Sequence, residues 1–343
     1  MSRPPASTPR ASANSSSSED ALGGFVPFVS ELQREICEAA EAMDGSGARF
    51  CDDAFEKPDG AGYGNTRVLE GGDLLEKAAA NVSVVKGTLT PERAKAMRER
   101  GRDGVDVKGG QTYEAAALSL VFHPRSPHVP TLRADVRVFA IDGGDGGAWF
   151  GGGCDLTPNY LEEGDITEFH RHWRGVCDAH GEGIYEHAKA HCDRYFYIPA
   201  RGEHRGTGGI FFDDADSLAA IGGPSGGGLE AVEAFTRDVA KNILPSWEAI
   251  AERRRGTPVT DAERDWQCRR RGRYIEFNLL NDRGVRFGLV APPGGPLPRM
   301  EAIMVSAPPE VRWRYVGDGD NRRSEGAREE ALLAVLRAPR AWA

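Results

Sequence analysis

The chain has 343 residues, 40% hydrophobic and 28% charged, which is enough to bury a full core without disulfides or a structural metal. Its 43 Lys and Arg against 52 Asp and Glu leave a formal charge of −9, so no nucleic-acid partner and no anionic membrane surface is expected. No apolar run approaches the roughly 18 residues of a membrane span, and the sequence reads as a soluble globular chain.

In chain order, residues 1–22 are expected to form a disordered tail or a transit-like segment. Arg3 and Arg10 lie among Ser and Pro, no acid precedes Glu19, and there is no apolar signal core. A transit segment would take the chain to a plastid or mitochondrion; without one it would stay in the cytoplasm. Residues 23–343 are read as one domain. Ser30 and Gln33 form a capping-box pattern, and Val29, Leu32, Ile36, Ala40 and Met43 follow helical spacing up to Gly45. Thr90-Pro91 opens a second helix that stops before Gly101. Further helices fit Asp165–His180, Leu229–Leu244 with a stop at Pro245, a stretch after Thr260 capped by Glu263, and Glu329–Leu336.

Strand patterns are read at Ala115–His123, Arg133–Ile141, Arg273–Asn281, Val285–Val290 and Glu301–Ser306. The glycine clusters GGDGGAWFGGG, GGPSGGG and PPGGP are read as loops between elements. Together these predict an α+β fold, a large antiparallel sheet with helices on both faces.

Period-two alternation puts Arg133, Asp135 and Arg137 on one strand face, and Ser119 with His123 on another. Read as a strand, Arg273–Asn281 gives a third polar stripe of Tyr274, Glu276 and Asn278, with Asp282 following at the turn. One such stripe is as easily a solvated outer face; several on one sheet suggest a polar cleft. Arg133, Arg137, Arg201, Arg205, Arg283, Arg286 and Arg299 lie near strand ends or glycine turns. Arginine binds carboxylates in a two-pronged manner, so an arginine cluster on an acidic protein points to a small polyanion.

His187 and His191 share a helical face beside Cys192, which tempts a zinc reading, but no HExxH pattern or partner carboxylate accompanies them, and no metal is expected. No phosphate loop and no dinucleotide glycine spacing occurs. The six cysteines are widely spread without a CxxC pair and read as reduced thiols.

The segments FEKPDGAGYGNTRVLEGGDLLEKAAANVSVVKG, LSLVFHPRSPHVPTLRADVRVF, WFGGGCDLTPNYL, YFYIPARGEHRGTGGIFFDD, RRGRYIEFNLLNDRGVRFGL and VRWRY occur in this order. They resemble the oxygen-dependent coproporphyrinogen III oxidases from about Phe25 to Trp342. The resemblance implies a homodimeric enzyme of haem and chlorophyll synthesis. It would convert two propionates of coproporphyrinogen III to vinyls, giving protoporphyrinogen IX, CO2 and hydrogen peroxide. O2 would be the co-substrate, with no metal or organic cofactor.

The resemblance also assigns roles. Asp282, Arg283 and Arg133 match catalytic positions, Asp282 being the acid that would hold the pyrrole N–H groups. Ser119, Asp135, Arg137, Asp155, Arg201, Arg205 and Arg299 match substrate-binding positions. This chain also departs from the pattern. Arg133 stands where the family has a histidine, Asp135 where it usually has asparagine, Ala200 where it has a second histidine, and Ala79-Ala80 where it has Gly-Val. PPGGPLP before Arg299 looks like an insertion. Two readings from other classes remain beside the enzyme: a weakly catalytic copy that binds a porphyrinogen or other tetrapyrrole, and a metal-dependent hydrolase using the histidine cluster.

Overall fold

The computed structural model describes residues 18–141, 147–289, 299–314 and 326–343. Helix α1 (Ser18–Asp44) is followed by strands β1 (Cys51–Glu56), β2 (Gly62–Glu70) and β3 (Leu75–Thr88), helix α2 (Pro91–Glu99), and strands β4 (Thr112–Pro124), β5 (Thr131–Ile141) and β6 (Ala148–Thr157). Helices α3 (Glu163–Asp178) and α4 (Ile184–Tyr195) lead to a small ribbon, β7 (Tyr197–Ile198) with β8 (Glu203–His204), and then to β9 (Gly208–Ala215). Helices α5 (Gly228–Lys241), α6 (Pro245–Arg254), α7 (Asp261–Leu280), α8 (Arg283–Leu289), α9 (Met300–Ile303) and α10 (Ala327–Arg337) complete the described chain.

Seven strands form one antiparallel sheet in the order β1-β2-β3-β4-β5-β6-β9, as the α+β reading expects. Alternation divides it into two faces. One face presents Leu118, Leu120, Phe122, Val136, Phe150 and Phe212 to a core closed by Phe25 and Val29 of α1, Phe235 of α5 and Trp247 of α6. The other face carries Ser119, Arg133, Asp135 and Arg137, and α7 lies against it through Tyr274 and Ile275, which pack on Ala79 and Val121.

Several elements differ from expectation. Arg273–Asn281 belongs to α7, not to a strand: the Thr260 capping box, reciprocated by Glu263, starts a helix that runs 20 residues. Its aromatic and β-branched residues imitate a strand because both sides of the helix are buried, which erases a clean 3.6-residue period. Val285–Leu289 is likewise helical in α8, Val290 lies outside the described residues, and Glu301–Ser306 forms α9 and a 3-10 turn.

Ser30 sits inside α1 and donates its hydroxyl to the Val26 carbonyl instead of capping. Pro245 stops nothing; it opens α6, where its missing N–H is not needed. AWFGGGCDLT is a fully buried strand, β6, rather than a loop. Of the other glycine clusters, GGPSGGG does form a loop, whereas PPGGP and residues 142–146 lie outside the described residues. β1, β2, β3 and β9 were not read from the sequence at all.

Candidate active site

Register lines up one polar row across the sheet. Asp53 of β1 pairs with Thr66 of β2, Thr66 with Asn81 of β3, Asn81 with Ser119 of β4, Ser119 with Asp135 of β5, and Asp135 with Gly153 of β6. Thr66 donates its hydroxyl to the Asn81 side-chain carbonyl at 2.8 Å, and Ser119 is half-buried between them and Asp135. Arg299 marks the β1 end, paired with Asp53 and stacked over Phe55 at 4.5 Å. Arg133 and Arg137 stand on β5. Four strand spacings of about 4.8 Å place the two cationic ends on the order of 19 Å apart.

The β5 end is a closed circuit of alternating charge. Arg133 Nη1 lies 2.5 Å from Asp135 Oδ1, and Arg137 takes the other oxygen of Asp135. Arg137 Nη2 continues to Asp213 of β9 at 3.0 Å, and Asp213 Oδ2 meets Arg283 of α8 at 3.1 Å. Next in the chain is Asp282, whose Oδ2 lies 3.9 Å from Arg133 Nη2. Tyr195 closes the circuit on the α4 side: it accepts from the Arg283 backbone N–H at 3.2 Å and donates to Asp282 at 3.5 Å. Three arginines thus face three aspartates, and the circuit is self-neutralised.

Floor and roof come from different elements. Arg133, Asp135, Arg137 and Asp213 rise from the sheet, whereas Asp282 descends from the end of α7, one turn beyond Asn278 and two beyond Tyr274. The turn after α7 fixes Asp282, because its Oδ1 accepts the Val285 backbone N–H at 2.9 Å. Burial works against the Arg133 charge, but Asp135 and Asp282 outweigh it and raise the pKa, so Arg133 is permanently cationic. Burial and Asp282 raise the Tyr195 phenol. Burial opposes ionisation of Asp213, yet Arg137 holds its carboxyl below the usual range.

Arg133 Nη1 and Asp135 Oδ1 are close but poorly aligned, and both are buried with no hydrogen-bond partner among the described residues. That contact is Coulombic, and it leaves a buried donor and acceptor unspent at the site.

Not every expected residue faces it. Arg205 and Asp155 are each about 1% exposed, and Arg205 Nη2 donates to both Asp155 oxygens, at 2.7 and 2.8 Å. Arg205 also holds Asn278 of α7 at 3.1 Å and lies over the rings of Phe196, Tyr274 and Phe277. This pair ties α7 to β6 from beneath. Arg201 sits on the far side of α7, spent on Glu276 at 2.6 Å, and Ala200 is exposed beside it. Asp213, Tyr195 and Asn81 were missed as site residues, although FFDD and the 211/213 alternation carried the signal for Asp213.

The circuit offers carboxylate-binding arginines, a carboxylate for N–H donors and permanently charged floor groups. His187 and His191 lie with ring centroids 6.5 Å apart on α4, and no group of three or more metal-ligating side chains occurs among the described residues. No described helix is long and apolar enough to cross a membrane.

A family model described as coproporphyrinogen III oxidase matches residues 25–342. The mitochondrial oxygen-dependent coproporphyrinogen-III oxidase of Homo sapiens is 42% identical over 317 residues, 92% of this chain and 66% of that protein. The oxygen-dependent coproporphyrinogen-III oxidase of Drosophila melanogaster is 41% identical over 319 residues, 92% of this chain and 76% of that protein. The chain therefore spans about two thirds of the human relative and three quarters of the fly one. A match of this extent settles the ancestry: the chain belongs to the coproporphyrinogen III oxidase family.

Proposed function

We propose that the chain oxidatively decarboxylates two propionates of coproporphyrinogen III to vinyl groups, giving protoporphyrinogen IX. Each step converts a propionic acid side chain and O2 into a vinyl group, CO2 and H2O2. The observation that carries the reading is the pairing of floor arginines with a roof carboxylate. Arg133, Arg137 and Arg283 bind propionate, and Asp282 accepts pyrrole N–H bonds at the centre of the puckered macrocycle. The electron-rich pyrrole supplies the electrons that O2 takes up, so no metal or organic cofactor is required. Loading substrate anaerobically, admitting O2 and measuring vinyl product with CO2 tests the reading. Substrate that binds and is recovered unchanged overturns it. Exhaustive chelation is expected to leave turnover unaltered, as metal analysis alongside the assay will check.

We also infer a homodimer. Leu280 at 60% and Met300 at 46% exposure, with Leu279 nearby, give α7–α9 an apolar outer surface among the described residues. Sedimentation at micromolar concentration is expected to show twice the chain mass; a monomer contradicts this.

A further inference from the structure

Arg133 stands between two carboxylates and favours one. Asp135 is in close contact at 2.5 Å, whereas Asp282 is a looser ion-pair partner at 3.9 Å. Asp135 lies mid-strand, buried, with ladder partners Ser119 and Gly153 on either side, so it cannot move with a ligand. Asp282 is fixed on the other side, where the Val285 backbone N–H and the Tyr195 hydroxyl hold its two oxygens, so the long Arg133 side chain is the group that can shift. Coulomb attraction rises as separation falls, so without the Asp135 contact Arg133 is drawn towards Asp282.

We propose that Asp135 is a positioning residue that draws Arg133 into the closer contact, so that the Asp282 carboxylate stays available to the substrate. The proposal rests on the reading of Asp282 as the acid that receives pyrrole N–H groups. It also sets the terms of recognition. A substrate carboxylate does not fall onto bare positive charge; it competes with Asp135 for Arg133 and Arg137. A ligand gains entry by offering a carboxylate to the floor and N–H donors to Asp282 together. Carboxylates without such donors meet a neutral circuit and bind weakly.

The test is Asp135→Asn, which keeps the shape and removes the charge. Arg133 then has one carboxylate in reach, and a crystal structure of the variant is expected to show its guanidinium within about 3.2 Å of Asp282. An Arg133 that stays in its parent position overturns the proposal. The kinetic counterpart is a double-mutant cycle with Arg133→Gln. Asp135→Asn alone is expected to lose about 10²-fold in kcat, as when an acid–base group is blocked. Arg133→Gln combined with Asp135→Asn is expected to recover to within about threefold of Arg133→Gln alone, since no cation remains to latch the roof.

Independent, multiplying losses overturn the proposal, because a merely structural Asp135 predicts them. Asp135→Ser asks the same of a smaller side chain should the asparagine variant not fold. If the parent makes no vinyl product while Asp135→Asn shows the closed latch, the proposed function falls and the positioning role stands. If the parent turns over and Arg133 stays in place, the reverse holds.

Discussion

At the residue scale, Asp282 and Arg133 divide the work that one titratable pair would share. In the proposed reaction Asp282 accepts the substrate N–H bonds, whereas Arg133, held charged by Asp135 and Asp282, binds but cannot act as a base. Asp282→Asn is expected to lower binding and turnover together, by about 10²-fold or more in kcat/KM. Steady-state kinetics with a parallel binding titration checks it; activity equal to the parent refutes it. Arg133→His restores a titratable group and is expected to preserve binding while raising turnover. The polar floor was legible because strand alternation is local: 133, 135 and 137 must share a face. Asp282 was picked out by resemblance, and its face by accident. Tyr274, Asn278 and Asp282 fall together under a period of two and also one helical turn apart, so the wrong element gave the right neighbours. Glu276 exposed the error, since it points away to Arg201.

Among the elements, β6 and α7 decide whether the circuit closes. Glycines normally weaken a strand, but a Cβ at Gly151 would lie 2.8 Å from Arg137, and one at Gly153 would lie 2.5 Å from the Ile210 carbonyl. The glycine run therefore lets the Arg137 guanidinium lie across β6 towards Asp213 and lets β9 approach. Gly151→Ala is expected to displace Arg137 and raise KM several-fold with little loss of melting temperature; thermal melts and kinetics on one preparation separate the two effects. Asp155→Ala is the opposite case. It strands the buried Arg205 guanidinium beneath α7, and removal of one partner of such a pair costs about 3–5 kcal/mol. Chemical denaturation is expected to show it. Neither role was readable beforehand, because both depend on which strand lies beside which, and glycine punctuation argues for loops when taken alone.

For the whole molecule, acid is the vulnerable side. His123 and His170 are fully buried, each with its pKa pushed down to about 3, by burial first and then by the nearby cations Arg271 and Lys189. His123 donates Nε2–H to the Ser306 carbonyl at 2.9 Å and so helps to seat the segment after α9. Both rings stay neutral in the folded protein at pH values where the unfolded chain, with pKa near 6.5, protonates them. Stability is therefore full above about pH 6.5 and is lost as pH falls towards about 3, where the loss levels off. Each ring contributes up to about 1.4 kcal/mol per pH unit in that window. Denaturant midpoints between pH 7 and 5 should fall, and His123→Gln should flatten the slope.

The site joins parts remote in sequence, as when Arg133 of β5 meets Asp282 beyond the end of α7. Its floor is complete by Asp213, long before α7 is synthesised. During that interval Arg133 and Arg137 are already answered by Asp135 and Asp213 on the same sheet. A half-made chain that had already formed this sheet would therefore show no naked basic strip for RNA to settle on, and the same acids that tune the finished site would keep its unfinished form unattractive to polyanions.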